Sequence, residues 1–126
     1  MAETLSERLE RLLPGGRGVW VPMDHGASRY PEAGLGDTDA AVDAAIAGGA
    51  DAVVLQKGAV SHHVERTGWG GFVCHVSAST VHGGLLSQDN VSVATAGECL
   101  SRGASGLSAQ INLGEDAEAD MIERMG

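Results

Sequence analysis

Gly48-Gly49-Ala50-Asp51-Ala52-Val53-Val54-Leu55-Gln56-Lys57-Gly58 decides how the rest of the chain reads. The glycine pair stops a helix whose apolar face is Val42, Ala45 and Ile46. The residue past a last helical turn takes a left-handed backbone, which glycine adopts without strain. An unbroken apolar run follows, and such runs belong to strands covered on both faces, as in parallel sheets. The run leaves into polar Gln56-Lys57-Gly58, and a short helix is expected at about 59–66. Helix, glycine, buried strand and polar exit together make the repeating part of a parallel βαβ arrangement.

The same unit recurs in both directions. Upstream, Gly18-Val19-Trp20-Val21-Pro22-Met23 is an apolar run ending on Asp24-His25-Gly26. It reads as a first strand buried on both faces, with Pro22 at a bulge or strand end because proline cannot donate to a ladder. Residues 27–36 are a loop, and Asp37 or Asp39 caps the helix that Gly48-Gly49 ends. Downstream, Phe72 to Ala78 is a third strand. Thr95-Ala96-Gly97-Glu98 is a capping box that opens a helix ending at Gly103. Ser105 to Ile111 is a fourth strand, and a last helix begins near Asp116. Ahead of all this, the capping box Thr4-Leu5-Ser6-Glu7 starts a helix with Leu5, Leu9, Leu12 and Leu13 on one stripe, stopped by Pro14-Gly15-Gly16. Arg102-Gly103-Ala104-Ser105-Gly106-Leu107 weakly repeats Gly48 to Val53. The expected fold class is α/β: a leading helix under the amino ends of four parallel strands in the order 1-2-3-4, within a single domain, 1–126.

Composition bounds the function. With 126 residues, 43% apolar and 20% charged, the chain is globular and of one-domain size. Seventeen acids against eight bases give a net charge of -9, which argues against nucleic acid or an anionic membrane as partner. Lys57 is the only lysine, and the 19 glycines far outnumber the Phe, Tyr and Trp residues. An acidic, lysine-poor surface suits a halophilic cytosol, where molar salt screens repulsion beyond about 3 Å; the plainer alternative is an acidic mesophile protein from a GC-rich genome. No apolar run approaches the roughly 20 residues of a membrane helix, and the charged N-terminus has no signal-peptide core, so a cytoplasmic protein is expected. Cys74 and Cys99 are then a reduced pair.

Parallel α/β sheets bind ligands at the carboxyl ends of their strands. Those ends are Asp24 to Ser28, Gln56 to Gly58, Ser77 to Thr80, and Gln110 to Asn112. Asp24 and Lys57 stand out, because a carboxylate and an amine can both move protons or hold polar substrates. The plainer alternatives are a loop hydrogen-bond acceptor for Asp24 and a solvated side chain for Lys57. Asp24, Lys57, Ser79 and Asn112 are expected to converge on one face, with Asp24 beside Lys57 and keeping it protonated. His25, His62, His63, His75 and His82 show no HExxH spacing, and there is no CxxC. Adjacent His62 and His63 point about 100° apart on a helix, so no metal is expected. No Walker loop, GxGxxG or Gly-x-Ser-x-Gly elbow occurs, so no cofactor is expected.

The string Val21-Pro22-Met23-Asp24-His25-Gly26 resembles the first-strand signature of the archaeal-type class I aldolases. Within that family it looks more like the 2-amino-3,7-dideoxy-D-threo-hept-6-ulosonate synthases than the fructose-bisphosphate aldolases. Residues 48–58, Val76-Ser77-Ala78-Ser79-Thr80, and Gly103-Ala104 through Asn112-Leu113-Gly114 resemble its next three units, so the resemblance spans 17–125. It implies the N-terminal half, four βα units, of a TIM (β/α)8 barrel whose enzymes join a lysine to a sugar-phosphate ketone as a Schiff base. The synthases couple a ketose-phosphate-derived fragment to aspartate semialdehyde on an archaeal route to aromatic amino acids. By resemblance Asp24 is the proton acceptor. Asp24, His25, Gly26 and Ser28 line the sugar-phosphate site, with Ala27 contributing backbone. Lys57, Ser79 and Asn112 complete the expected substrate-binding set.

The departures matter as much. A whole barrel takes about 250 residues. The family's Schiff-base lysine, its tyrosine proton donor and its phosphate-binding glycine loops lie on later strands, and neither Lys57 nor Tyr30 matches them. The expectation is an aldolase-type carbon–carbon lyase or transferase without turnover as this chain alone. Fructose-bisphosphate aldolase, another sugar-phosphate lyase, or a non-catalytic half-barrel module are the alternatives. Four parallel strands leave two open edges, so a homo-oligomer or a partner chain supplying the other half is expected.

Overall fold

The computed structural model describes residues 2–25 and 32–126. Helix α1 spans Leu5–Leu12, where the Thr4 hydroxyl accepts from the Glu7 N–H and the Glu7 carboxylate accepts from the Thr4 N–H at 2.7 Å. Strand β1 (Trp20–Pro22) leads to α2 (Thr38–Ala47), β2 (Ala52–Leu55), α3 (Lys57–Thr67) and β3 (Phe72–His75). Then come two short strands, β4 (Ser77–Ala78) and β5 (Val91–Ser92), followed by α4 (Ala96–Ser101), β6 (Gly106–Ser108) and α5 (Glu118–Met125). Single-turn 3-10 pieces occupy Pro14–Gly16 and Val81–Leu86.

The four long runs pair as expected. The sheet order is β1-β2-β3-β6 and every pairing is parallel, with Val21 opposite Val53, Val53 opposite Phe72, and Cys74 opposite Leu107. Period-two alternation sorts the side chains. Val53, Leu55, Phe72 and Cys74 face the helices and pack with Val42, Val60 and Cys99. Ala52, Val54 and Val73 face the other way and pack with Leu12. Helix α1 therefore lies at the amino ends of the strands, where Arg11 also donates to the Ser105 hydroxyl just ahead of β6.

Four features differ from the sequence reading. First, β1 is not covered on both faces: Val19 is 64% and Trp20 38% exposed. It is an edge strand with β2 on one side only, and Pro22 ends it, as a residue without an N–H should. Second, the third run breaks at Val76, and Ser77–Ala78 pair antiparallel with Val91–Ser92 in a separate ribbon. Third, α3 begins at Lys57, so Lys57 belongs to a helix and not to a strand end. Fourth, only Leu12 of the leucine stripe is buried, while Leu5 and Leu9 stay exposed.

The internal repeat is real in backbone geometry. Gly49 and Gly103 have φ of +88° and +96°. The Gly49 and Ala50 N–H groups donate to Ile46 and Ala45, and the Gly103 and Ala104 N–H groups donate to Leu100 and Cys99. Each glycine closes its helix in the left-handed conformation and turns the chain straight into a strand. Gly103 also has no room for a side chain, since a Cβ would lie 2.8 Å from Val64 Cγ1.

Cys74 on β3 and Cys99 on α4 are both buried and free, with their sulfurs 3.0 Å apart. Burial pushes the Cys74 thiol up to about 12, and the neighbouring Cys99 adds to it. Neither cysteine is expected to react with iodoacetamide in the folded protein, and both are expected to react once urea unfolds it. The raised value also has a sign. The neutral thiol contributes stability in full below its ordinary value of 9.0, and that contribution is lost as pH rises toward 12. Urea midpoints measured across that interval should fall. Labelling of the native protein within minutes at neutral pH would show that the pair is accessible.

Candidate functional site

The carboxyl ends of β1, β3 and β6 open onto one cleft of about 670 Å³. The Met23 N–H donates to Val54 O at 2.8 Å, which extends the β1–β2 pairing by one residue and releases Asp24 and His25 at the sheet's rim. Both line the cleft, as do Ser79, Ser108 and Gln110.

His75 organises the centre. It ends β3 on the same face as Val73, away from the helices, and is 9% exposed. Its Nδ1 lies 2.7 Å from the Ser108 hydroxyl at the end of β6. Its Nε2 lies 3.1 Å from the Ser77 hydroxyl and 3.6 Å from Asp24 Oδ2. The Ser77 hydroxyl also accepts from the Gln110 N–H at 2.9 Å. An Nε2–H donating to the Ser77 hydroxyl and an Nδ1 accepting from Ser108 satisfy this network, with the Asp24 carboxylate just beyond hydrogen-bond reach of Nε2. The arrangement can hold a carboxylate in place and pass a proton to or from it. His25 Nδ1 is buried and, among the described residues, has no hydrogen-bond partner.

The expected site residues divide. Asp24, His25 and Ser79 come together in the cleft. Gly26, Ala27 and Ser28 lie outside the described residues. Asn112 sits behind the lining, accepting from Gln110 Nε2 at 2.8 Å and donating to Gln88 O at 2.7 Å. Lys57 does not reach the cleft. As the first residue of α3 it points into the helix layer, where its Nζ lies 3.1 Å from Glu98 Oε1 on α4. Its acidic neighbour is Glu98 and not Asp24. The Lys57 and Arg102 hydrogen bonds hold the Glu98 carboxyl below its ordinary value. Gln110 belongs to the strand-end cluster that the sequence marks, whereas His75 and Ser108 lie outside the strand ends that it marks. The available signal was the two-residue spacing of His75 and Ser77 at the end of an apolar run.

Residues 18–126 match the DeoC/LacD family of aldolases. The chain is 35% identical over 115 residues to the 2-amino-3,7-dideoxy-D-threo-hept-6-ulosonate synthase of Halobacterium salinarum, covering 91% of this chain and 43% of that protein. It is 31% identical over 124 residues to 2-amino-3,7-dideoxy-D-threo-hept-6-ulosonate synthase 1 of Archaeoglobus fulgidus, covering 94% and 45%. The chain therefore spans less than half the length of these curated relatives. Among solved structures it superposes with a TM-score of 0.72 on an archaeal fructose-1,6-bisphosphate aldolase whose catalytic lysine is covalently bound to the carbinolamine intermediate, at 23% identity, covering 97% of this chain and 50% of that one. A fructose-bisphosphate aldolase from Slackia heliotrinireducens gives a TM-score of 0.78 at 15% identity, covering 94% and 42%. The α/β fold with its parallel sheet is thus that of the barrel aldolases over about half their length. Among the described residues, no helix is long and apolar enough to cross a membrane.

Proposed function

This chain belongs to the DeoC/LacD aldolase family, and we propose from that premise that its cleft is the amino-terminal half of a class I aldolase site for a sugar phosphate. Asp24 is the proton acceptor. The observation that carries this is Asp24 at the exit of β1, facing His75 Nε2 at 3.6 Å inside the cleft. In a Schiff-base aldol cleavage the carboxylate takes the substrate hydroxyl's proton. The carbon–carbon bond breaks as the carbonyl forms, and its electron pair moves onto the iminium, giving an enamine. Two relatives above 30% identity are 2-amino-3,7-dideoxy-D-threo-hept-6-ulosonate synthases, so a ketose-phosphate-derived donor with aspartate semialdehyde as acceptor is the favoured substrate pair. Fructose bisphosphate is the second.

The amine comes from elsewhere in this reading. Lys57 faces Glu98, and a protonated, paired amine attacks carbonyls poorly. The cleft lining holds no Lys or Arg among the described residues, so a phosphate group finds little charge there. We place the Schiff-base lysine and the phosphate loops on the four further units of a whole barrel. The open outer sides of β1 and β6, with half-exposed Trp20 and Leu107, are where those further strands pair. A homo-oligomer closing the same edges is the non-catalytic alternative, a half-barrel module. The net charge of -9 with a single lysine supports a high-salt cytoplasm as its setting.

Borohydride reduction in the presence of a ketose phosphate, read by intact-chain mass spectrometry, tests this. The isolated chain should carry no reduced adduct. An adduct that disappears in Lys57→Ala would move the amine to Lys57 and overturn the assignment.

A further inference from the structure

On the outer face, away from the cleft, α2 packs beside α3 and brings Asp39, His62 and His63 together. Their ligand atoms all lie within 4.8 Å of one another. The two histidine rings diverge, with an interplanar angle of 71°, and divergence alone would argue against a shared ligand. The third group changes this. Asp39 Oδ1 reaches between them, 2.9 Å from His62 Nε2 and 3.8 Å from His63 Nδ1.

The cluster is already arranged around a positive charge. Arg66, one turn along α3 from His62, places Nε 3.5 Å from Asp39 Oδ1 and Nη2 3.2 Å from His63 Nδ1. A guanidinium only donates, so His63 Nδ1 accepts and its lone pair faces the shared space. Arg66 has a second acid to turn to, Asp43, with Nη1 2.9 Å from its Oδ1. A cavity lined by Gly36, Asp37, Asp39, Ala59, His62 and His63 opens beside the ligand atoms, leaving room for water in the remaining coordination positions.

We propose that Asp39, His62 and His63 form a binding site for a zinc-type divalent cation, which enters as Arg66 withdraws to Asp43. Two imidazole nitrogens and one carboxylate oxygen are a borderline donor set that suits zinc, with water in the fourth position. Metal–ligand bonds of about 2.0–2.1 Å put tetrahedral corners about 3.3 Å apart; the two Asp39 edges, 2.9 and 3.8 Å, bracket that value, and the His62–His63 edge, within 4.8 Å, closes as the exposed His62 ring turns in. The proton on His62 Nε2 shifts to the other ring nitrogen as the metal takes its place. None of the three ligands lines the aldolase-type cleft, so the bound ion would clamp α2 to α3 without touching the reacting groups.

Calorimetric titration of the metal-free chain with zinc sulfate tests the site, with Co²⁺ absorption as a report on tetrahedral geometry. One equivalent should bind. His62→Ala and Asp39→Asn, both exposed positions expected to fold, should each weaken it at least about tenfold. Arg66→Gln should tighten it by removing the competing cation. His75→Ala, in the cleft, should leave it unchanged. No binding by the parent chain, undiminished binding in both His62→Ala and Asp39→Asn, or weaker binding in Arg66→Gln overturns the proposal.

Discussion

Replacing Phe72 with alanine is expected to cost about 3–5 kcal/mol and to leave the chain largely unfolded at ordinary temperature. Phe72 is the only phenylalanine in the sequence and is fully buried at the centre of the helix-facing layer. The Trp69 ring meets it edge-on with centroids 5.1 Å apart, and His63 stacks on it at 6.1 Å. The other buried neighbours in that cluster include Val42, Val53, Val60 and Cys99, short side chains that cannot swing into the space a lost ring leaves. The cost therefore includes an unfilled cavity as well as lost transfer energy. Phe72→Leu, which keeps most of the volume, should cost under about 1.5 kcal/mol. Urea midpoints by circular dichroism measure both. A Phe72→Ala midpoint near that of the parent would mean that this layer is not the core.

The second large effect concerns chemistry. In a completed barrel, made by joining this chain with the remaining units of the Halobacterium salinarum relative, Asp24→Asn should lower kcat by about 10²–10⁴ while leaving KM within a few-fold. The carboxamide keeps the shape and can still hydrogen-bond, but it cannot accept the proton. Thermal unfolding of the variant, measured beside the kinetics, separates a catalytic loss from a folding loss. A kcat within threefold of the parent would remove Asp24 from the proton-accepting role.

Strand order was legible because β1, β2 and β3 are apolar runs and because β2 and β6 each follow a glycine helix stop, at Gly49 and Gly103. The β4–β5 ribbon was not, because two-residue strands carry no periodic signal, and both residues of β5 are exposed. The exposure of β1 was hidden for another reason. Val19-Trp20-Val21 reads as a buried strand, but burial depends on what lies beyond the edge, which local sequence does not encode. At the site, Asp24 and Ser79 could be placed from strand ends alone. Lys57 could not, since the residue after a strand's exit can close a loop or open a helix. With Gln56 as its N-cap, α3 starts at once and carries the lysine outward. His75 sits inside an apolar run, and which of the two sheet faces a polar residue takes emerges only when Ser77 and Ser108 are in place. The Asp39–His62 contact joins positions on separate helices, beyond the reach of any local motif.

The all-parallel sheet also bears on the order in which the chain assembles. Parallel neighbours cannot be joined by a tight turn, so every pairing closes a long crossover before it gains a single ladder bond. The crossover between β2 and β3, with Val53 opposite Phe72, is much shorter than those that bring Trp20 to Ala52 or Val73 to Gly106. Loop-closure entropy is lowest for that central pair, which also carries Val53, Val60 and Phe72 of the main core. Loop closure thus favours β2-α3-β3 as the nucleus, with the sheet growing outward from it. The two strands that dock last are β1 and β6, which bear Asp24 at the exit of one and Ser108 at the end of the other. On that order the cleft is completed only at the final step of folding and is the first feature lost when an edge frays.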